Sequence, residues 1–188
     1  VNRYITYGDY KRGQPRITTV PKRYSDTATL QATIEVDANG WVTSTTDFDG
    51  NQTSLVYDSM GRKTAINPAD VNVADTHISW LWTGGTGGKQ PTQTISRCIL
   101  DSATNNCKSG KTLLTSTTTF DSLLRPVSSA TTDIANSITI HQNSRFNAYN
   151  NMIFQSYPFY ANDVVTGTNT TYDGLQRQKT LSINGGGS

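Results

Sequence analysis

The chain is poor in charged residues, in sulfur and in long apolar runs. Of its 188 residues, 16% are charged and 34% are apolar, with two cysteines, two histidines and two methionines. So few charges do not fit an ordinary disordered chain, and so little Leu and Ala does not fit a helical protein. Residues that favour strands (Thr, Val, Ile, Tyr) and turns (Asn, Asp, Gly) are plentiful. The composition therefore predicts an all-β protein.

Charge and hydropathy argue against a nucleic-acid partner and against a membrane span. The net charge is only +2, and Lys and Arg are scattered apart from short clusters at residues 11–12 and 22–23. We therefore expect no nucleic-acid partner. No apolar run approaches the ~20 residues that span a bilayer, so we expect no membrane span. We recognise no signal peptide at the first residues, and we expect the final NGGGS to be a flexible linker or a tail left by cloning.

A short motif recurs along the chain. Residues 36–41 read VDANGW, and residues 57–62 read YDSMGR. Three more copies, FDSLLR, FNAYNN and YDGLQR, begin at residues 120, 146 and 172. The alignment of the copy at 146 is open, because residues 140–145 could be aligned instead. Recurrence at periods of 20–50 residues predicts a repeat architecture in which each unit packs against the next.

The motif has the chemistry of a hairpin turn. An Asp at the first turn position accepts a backbone N–H, and a Gly at the fourth adopts positive φ. We therefore predict β-hairpin loops over 37–40 and 58–61. Tyr57 and Arg62 should flank the second loop as cross-strand neighbours, with Tyr57 buried. Either the ring of Tyr57 lies under the guanidinium stem, or Arg62 reaches Asp58.

A further turn signal at Asp49-Gly50-Asn51 completes a meander. It predicts strands over 31–36, 41–46, 52–57 and 62–66. In the later copies, Leu124, Asn150 and Gln176 occupy the glycine position. Because Leu and Gln are disfavoured at positive φ, we expect the hairpins that contain Leu124 and Gln176 to use a different loop. The residues assigned to the motif are Asp37, Gly40, Tyr57, Asp58, Gly61, Arg62, Phe120, Asp121, Arg125, Phe146, Asn147, Tyr172, Asp173 and Arg177.

The pattern divides the chain into five segments. We predict an N-terminal β segment of unclear register over 1–30, well-formed repeats over 31–70, an insertion over 71–113, degenerate repeats over 114–183, and a linker or cloning tail over 184–188. Within the insertion, HISWLW at 77–82 should be a strand that packs two Trp rings. The glycine-rich stretch at 83–91 should be a flexible exposed loop, and residues 98–107 should form a hairpin with a long turn.

Cys98 and Cys107 enclose a short segment rich in turn residues. In an exported β-protein, this spacing predicts a disulfide, and the alternative is a pair of free thiols in a cytosolic protein.

The candidate catalytic and ligand motifs are incomplete. The stretch 84–89, GGTGGK, lacks the flanking Gly and Ser/Thr of a phosphate-binding loop. Asp47, Asp49 and Asn51 alternate like a calcium loop, but the sixth position is not Gly. His77 and His141 have no neighbours with zinc-ligand spacing, and no G-x-S-x-G elbow occurs. We therefore expect no enzyme activity, cofactor or metal, and a hydrolase is the least favoured reading.

The unit YDSMGRKT resembles the tyrosine-aspartate (YD) or RHS repeats of bacterial polymorphic toxins, toxin-complex shell proteins and teneurins. FDSLLRPVSS and FNAYNNMIFQSYPF resemble variant units, and the similarity covers residues 31–182. The resemblance implies a strip of β-hairpins that spirals into a hollow shell around a C-terminal toxin polypeptide. It implies a structural segment of a larger secreted or cell-surface bacterial protein, with the remaining repeats and an enclosed toxin as partners. Nothing in this chain matches the family's self-cleaving core.

Dense aromatic residues support an alternative function. Tyr157, Phe159 and Tyr160 could stack on sugar rings if they lie on an exposed β-surface, which would make the chain a carbohydrate-binding or adhesin-like module. The other interpretation is that these rings fill the thin core between hairpins.

Overall fold

The chain folds as antiparallel β-structure. The computed structural model describes residues 4–22, 28–70, 72–85, 88–101 and 103–184, and these contain strands and turns but no helix. The strands are β1 (Thr6–Lys11), β2 (Gln14–Pro21), β3 (Thr29–Val36), β4 (Val42–Thr46), β5 (Gln52–Tyr57), β6 (Lys63–Pro68), β7 (Asp75–Gly85), β8 (Gly88–Leu100), β9 (Cys107–Phe120), β10 (Pro126–Asp133), β11 (Ile138–Phe146), β12 (Met152–Ser156), β13 (Gly167–Tyr172) and β14 (Gln178–Asn184). Each strand pairs with the next one in sequence.

The predicted all-β class and the predicted meander are confirmed. Strands β3 to β6 lie within two residues of the four ranges expected from the sequence. Alternating turn signals and Thr-rich segments were sufficient for this, because a meander needs only local pairing between consecutive strands.

The glycine-rich stretch is not the exposed loop that we expected. Its described part belongs to strands, with Thr83–Gly85 ending β7 and Gly88–Pro91 beginning β8. Residues 86 and 87 lie outside the described residues. Glycine has a weak propensity for strands, but strand pairing outweighs it here. Each added pair of residues in the sheet satisfies further backbone N–H and C=O groups.

The fold consists of two compact units. The first comprises Val1–His77 and Cys98–Lys108, and the second comprises Ile78–Arg97 and Ser109–Ser188. Strands β7, β8 and β9 therefore contribute residues to both. The division into five segments made from the sequence remains a prediction.

The first unit has a small core around the disulfide. Ala65, Cys98 and Leu100 are buried, and Val56 and Cys107 pack against them. The sulfur atoms of Cys98 and Cys107 are bonded at 2.00 Å. The Asp75 carboxylate also accepts the backbone N–H of the core residue Leu100 at 2.8 Å. The loop between β8 and β9 is thus fixed covalently beside the core.

The second unit is held by close backbone approach and by ring stacking. Phe154 and Ser156 of β12 are buried. A Cβ at Gly167 would lie 2.3 Å from the carbonyl oxygen of Gln155, so β12 and β13 can approach this closely only with glycine there. The ring of Trp80 stacks on Phe120 at 5.9 Å. Trp82 is exposed, so the expectation that both Trp rings of this strand pack was wrong.

Threonine and serine hydroxyls pair across the strands of the second unit. The oxygen atoms of Thr132 and Thr139 lie 2.9 Å apart, and those of Ser116 and Thr131 lie 3.1 Å apart. Such cross-strand pairs stabilise a sheet without a thick apolar core. They account for a hydroxyl-rich sequence with few buried side chains.

Candidate functional site

In the part of the chain that the structure describes, six hairpin turns share one hydrogen-bond pattern. The first residue donates its N–H to the carbonyl of the fifth at 2.9–3.0 Å, and its own carbonyl accepts the N–H of the fourth at 3.0–3.4 Å. Its side-chain Oδ1 accepts the backbone N–H groups of the third and fifth residues at 2.8–3.0 Å. These first residues are Asp37, Asp47, Asp58, Asp121, Asn147 and Asp173.

The fourth residue of every turn is left-handed. As predicted, Gly40 and Gly61 have positive φ, at 89° and 78°. Leu124 (59°) and Gln176 (63°) adopt the same conformation, so the expected different loop was wrong. A left-handed non-glycine residue costs about 1–2 kcal/mol. The side-chain and backbone hydrogen bonds of the turn, roughly 1 kcal/mol each, offset that cost.

The structure decides between the two alignments of the fourth copy, which begins at residue 146. Asn147 opens a turn with the shared pattern, and its fourth residue, Asn150, has φ of 68°. Residues 140–145 instead lie inside β11. The alignment on FNAYNN is therefore the one that the fold uses.

The motif arginines bind the aspartates that open their turns. The Nε atoms of Arg62 and Arg125 each donate to an Oδ2 at 2.7 Å, on Asp58 and Asp121 respectively. The equivalent distance from Arg177 to Asp173 is 2.8 Å. Of the two arrangements left open by the sequence, Arg62 therefore reaches Asp58.

Tyr57 pairs with a residue that we did not expect. Its cross-strand partner is Lys63, because the register shifts between Val56 and Tyr57 and leaves Arg62 within the turn. The side chain of Tyr57 is half-buried rather than buried. Burial, together with the negative charge of Asp37, raises the pKa of this phenol.

The motif tyrosines fasten each hairpin to the one before it. The hydroxyl of Tyr57 donates to the carbonyl of Val42 in β4 at 2.8 Å, and its ring lies 5.4 Å from that of Trp41. In the second unit, the hydroxyl of Tyr172 donates to the carbonyl of Met152 in β12 at 2.9 Å.

Phenylalanines at the same motif position use ring contacts instead. Phe120 stacks on Trp80, and the ring of Phe146 lies 4.9 Å below the guanidinium carbon of Arg125.

The fifth residue of a turn also reaches the neighbouring turn. In the first unit, Trp41 lies so close to Gly61 that a Cβ there would be 2.9 Å from its ring. In the second unit, Arg125 Nη1 donates to the carbonyl of Asn147 at 3.0 Å. Asn151 Nδ2 then donates to Gln176 Oε1 at 2.6 Å. Within each unit, these contacts connect consecutive motif turns side by side.

The turn carboxylates are stabilised in their charged form. The pKa of Asp58 lies below 3.8 because the backbone N–H and then the side chain of Arg62 donate to it, against an opposing effect of burial. For Asp173, the backbone N–H and side chain of Arg177 lower the pKa in the same way. The chemistry of these carboxylates is that of hydrogen-bond acceptors for the hairpin.

The remaining candidate residues are dispersed. His77 pairs with Ala65 across β6 and β7, and the ring of His141 stacks on Phe159 at 5.6 Å. Tyr157 and Tyr160 expose their rings. Across the described ranges, no cluster of three or more His, Cys, Asp or Glu residues could hold a metal ion.

A family model described as RHS Repeat matches residues 36–70, which contain the turns opened by Asp37, Asp47 and Asp58. Residues 36–70 of this chain therefore match the RHS repeat. The search of curated protein sequences found no match. In the part of the RHS-repeat chain that the structure describes, no helix is long and apolar enough to cross a membrane.

The RHS-repeat chain is similar in structure to TcdB2-TccC3-TEV, which was solved by crystallography. The TM-score is 0.57 over 95% of this chain, at 10% sequence identity. At that identity the likeness shows a shared fold. The RHS-repeat chain spans only 15% of the length of the chain that it matches.

Sequence reasoning missed two functions of the RHS motif residues. It did not foresee that the Tyr hydroxyl binds the preceding hairpin, or that the fifth residue binds the next turn. The sequence does show a Tyr that recurs before the turn Asp and a long side chain that recurs four residues after that Asp. The residues that these two side chains bind lie outside the motif, so the contacts become visible only in the folded sheet.

Proposed function

We propose that this chain is a wall segment of an RHS-repeat shell that encloses or presents a toxin polypeptide, with no catalysis of its own. The main support for this proposal is that motif turns lie side by side and are joined through Trp41, Arg125 and Asn151. In three places a residue of the repeat joins one motif turn to the next, so more hairpins could be added through the same kind of contact. That property suits a wall.

Exposed apolar side chains at the turn tips support a larger assembly. The third turn residue is apolar and largely exposed in four turns, at 65% for Met60, 64% for Leu123, 71% for Tyr149 and 74% for Leu175. Loop tips that face water permanently are usually polar, and repeated apolar tips indicate surfaces that other protein covers. We propose that the remaining repeats of the parent shell cover them.

The disulfide is consistent with a secreted or cell-surface location. Disulfides persist in oxidising compartments, and the buried Cys98 is protected from solvent. We therefore propose a bacterial exported protein as the parent.

Limited proteolysis of the parent polypeptide tests the proposal. The polypeptide encoded together with this chain is expressed whole, and the segment that follows the repeats is expressed alone as the control. We expect the following segment to resist protease in the whole protein and to be cleaved when it is alone. Equal cleavage rates in both samples would contradict a shell.

A second candidate function is carbohydrate binding, which the exposed rings of Tyr157 and Tyr160 favour. A glycan array with the wild-type chain, with Tyr157→Ala and with Tyr160→Ala tests it. Tyr149→Ala, which removes an exposed ring at a turn tip, is the matched control. Binding that is lost with the first two variants and kept with the control would support this candidate, and an array without signal would exclude it for the glycans printed.

A further inference from the structure

An open hollow in the second unit has no role in the turns described above. Its volume is about 460 Å³, and its walls come from β10, β11, β12 and the segment that follows β12. The lining residues are Val127, Asn143, Ser144, Arg145, Phe154 and Val165. Small-molecule sites commonly measure ~300–1,000 Å³, so the hollow is large enough for a ligand of amino-acid size.

Arg145 has no negatively charged partner among the described residues. Its guanidinium carbon lies 4.6 Å above the ring of the buried Phe154. Among the described residues, its guanidinium has no hydrogen bond to any acceptor and no ion pair. Two other arginines of the same unit, Arg125 and Arg177, each bind the aspartate that opens their turn.

Arg125 provides the comparison. It also lies over an aromatic ring, at 4.9 Å from Phe146. Its nitrogens, however, bind the Asp121 carboxylate at 2.6 Å and the carbonyl of Asn147 at 3.0 Å. A ring below the guanidinium is therefore compatible with an acceptor at its edge. Among the described residues, none provides such an acceptor for Arg145.

The geometry around Arg145 suits a carboxylate. An aromatic ring covers the planar face of a guanidinium, whereas the N–H groups point outward in its plane and match the two oxygens of a carboxylate. Asn143 lies two residues earlier on the same face of β11, about 7 Å away. Its backbone N–H donates to Ser156 Oγ at 2.8 Å, but in the described part of the chain its side-chain amide has no partner.

The rest of the hollow suits an apolar group. Val127, Phe154 and Val165 contribute apolar surface beside the guanidinium. We propose that this hollow binds a carboxylate that carries a branched or aromatic apolar group, with Arg145 and Asn143 on the carboxylate and the apolar group against Val127, Phe154 and Val165.

NMR titration of the ¹⁵N-labelled chain tests the site. The probe is N-acetyl-L-leucine, and N-acetyl-L-leucinamide, which has the same shape without the charge, is the control ligand. We expect saturable shifts in the amides of residues 143–145 and 154, with a Kd of about 0.1–10 mM for so small a ligand. The leucinamide should bind at least about tenfold more weakly, since it cannot form the charged pair.

Matched variants separate binding from a merely structural Arg145. Arg145→Gln should weaken N-acetyl-L-leucine binding at least about tenfold and leave leucinamide binding unchanged. Arg145→Lys keeps the charge but loses the bidentate geometry, so an intermediate affinity is expected. Lys179→Gln removes an exposed cation on β14 and should change nothing. A variant spectrum that overlays that of the wild type away from β11 and β12 shows that the fold is intact.

Two further ligands distinguish free acids from polypeptide ends. Acetyl-Ala-Ala-Leu binding more tightly than 4-methylpentanoate would assign the site to a polypeptide C-terminus, and the reverse order would assign it to a free apolar acid. The proposal is overturned if no saturable shift appears up to about 20 mM. Equal affinities for N-acetyl-L-leucine and its amide, or full affinity in Arg145→Gln, would overturn it as well.

Discussion

At the residue scale, the motif tyrosine and the fifth turn residue have separate tasks. The Tyr57 and Tyr172 hydroxyls bind the preceding hairpin, whereas Arg125 and Asn151 bind the following turn. Motif residues therefore join hairpins in both directions along the sheet. At positions 120 and 146 the chain has Phe where the motif copies at 57 and 172 have Tyr. These rings have no hydroxyl, and they contact Trp80 and Arg125 instead.

Gly61 carries two constraints, and Gly50 carries one. Both have positive φ, but a Cβ at Gly61 would lie 2.9 Å from Trp41, whereas a Cβ at Gly50 would meet nothing within 4 Å. We expect Gly50→Ala to cost about 1–2 kcal/mol of unfolding free energy from backbone strain alone. Gly61→Ala should cost about 1–3 kcal/mol more, because Trp41 must move. Urea denaturation of both variants measures this, and equal losses would show that the Trp41 contact is unimportant.

Leu124 holds a strained conformation that glycine would relieve. Its φ of 59° is left-handed and its side chain is exposed, so little packing is lost on truncation. We expect Leu124→Gly to stabilise the chain by about 0.5–1 kcal/mol, the net of relieved strain and added unfolded-state entropy. Leu123→Gly, one position earlier with ordinary φ, should destabilise it. Thermal melting compares the two, and a lower melting temperature for Leu124→Gly would contradict this account.

At the element scale, the turns should be sensitive to acid. The pKa of Asp58 and that of Asp173 are both lowered from 3.8, chiefly by the backbone N–H groups of Arg62 and Arg177. Because the folded state binds these protons less tightly than the unfolded state does, the stabilisation is complete above pH 3.8. It is lost as the pH falls through the folded-state values. We expect the melting temperature to fall steeply from about pH 4 to pH 2.

An amide variant tests the assignment of this acid sensitivity. Asn147 already opens a turn of the same geometry, so the variant with Asp58→Asn and Asp173→Asn should still fold. It should lose less of its melting temperature between pH 4 and pH 2 than the wild type. An unchanged pH dependence would place the acid sensitivity elsewhere.

The disulfide fixes the β8–β9 hairpin at its loop. Closing the loop from Cys98 to Cys107 should contribute about 2–3 kcal/mol by restricting the unfolded chain. We expect a reducing agent to lower the unfolding free energy by that amount, measured by urea denaturation. The variant with Cys98→Ala and Cys107→Ala serves as the control, because it should not respond to reductant. A wild type that is equally stable in both conditions would contradict this.

At the scale of the whole molecule, the described sheet has two outer strands. Among the described strands, β1 and β14 each pair on one side only. β14 also exposes Leu181 and Ile183, which lie two residues apart and therefore on one face. Unpaired edges with apolar side chains promote pairing between chains.

The outer strand β14 should make the isolated chain associate. We expect concentration-dependent association by sedimentation velocity, reduced in the variant with Leu181→Lys and Ile183→Lys. Val164→Lys, at an equally exposed position outside the strands, is the control and should associate like the wild type. Association that persists unchanged in the double-lysine variant would exclude this edge as the contact.

Local chemistry determined most of the fold. Asp or Asn at the first turn position, with strand-forming residues on both sides, was enough to predict the all-β class, the meander and the positive φ of Gly40 and Gly61. These features depend on contacts within about five residues, which a sequence displays directly. The same local reasoning failed at Leu124 and Gln176, because it counted the strain of one residue and omitted the hydrogen bonds of the whole turn.

Tertiary structure decided what the motif residues bind. The partners of Tyr57, Arg125 and Asn151 lie 15 to 25 residues away, and no local pattern names them. That no described residue provides an acceptor beside Arg145 is likewise a property of the folded sheet, since two arginines over two phenylalanines look alike in sequence and differ only in whether an acceptor lies beside them. Hairpins form from near neighbours, whereas the contacts that join them depend on strand register, which only the assembled sheet sets.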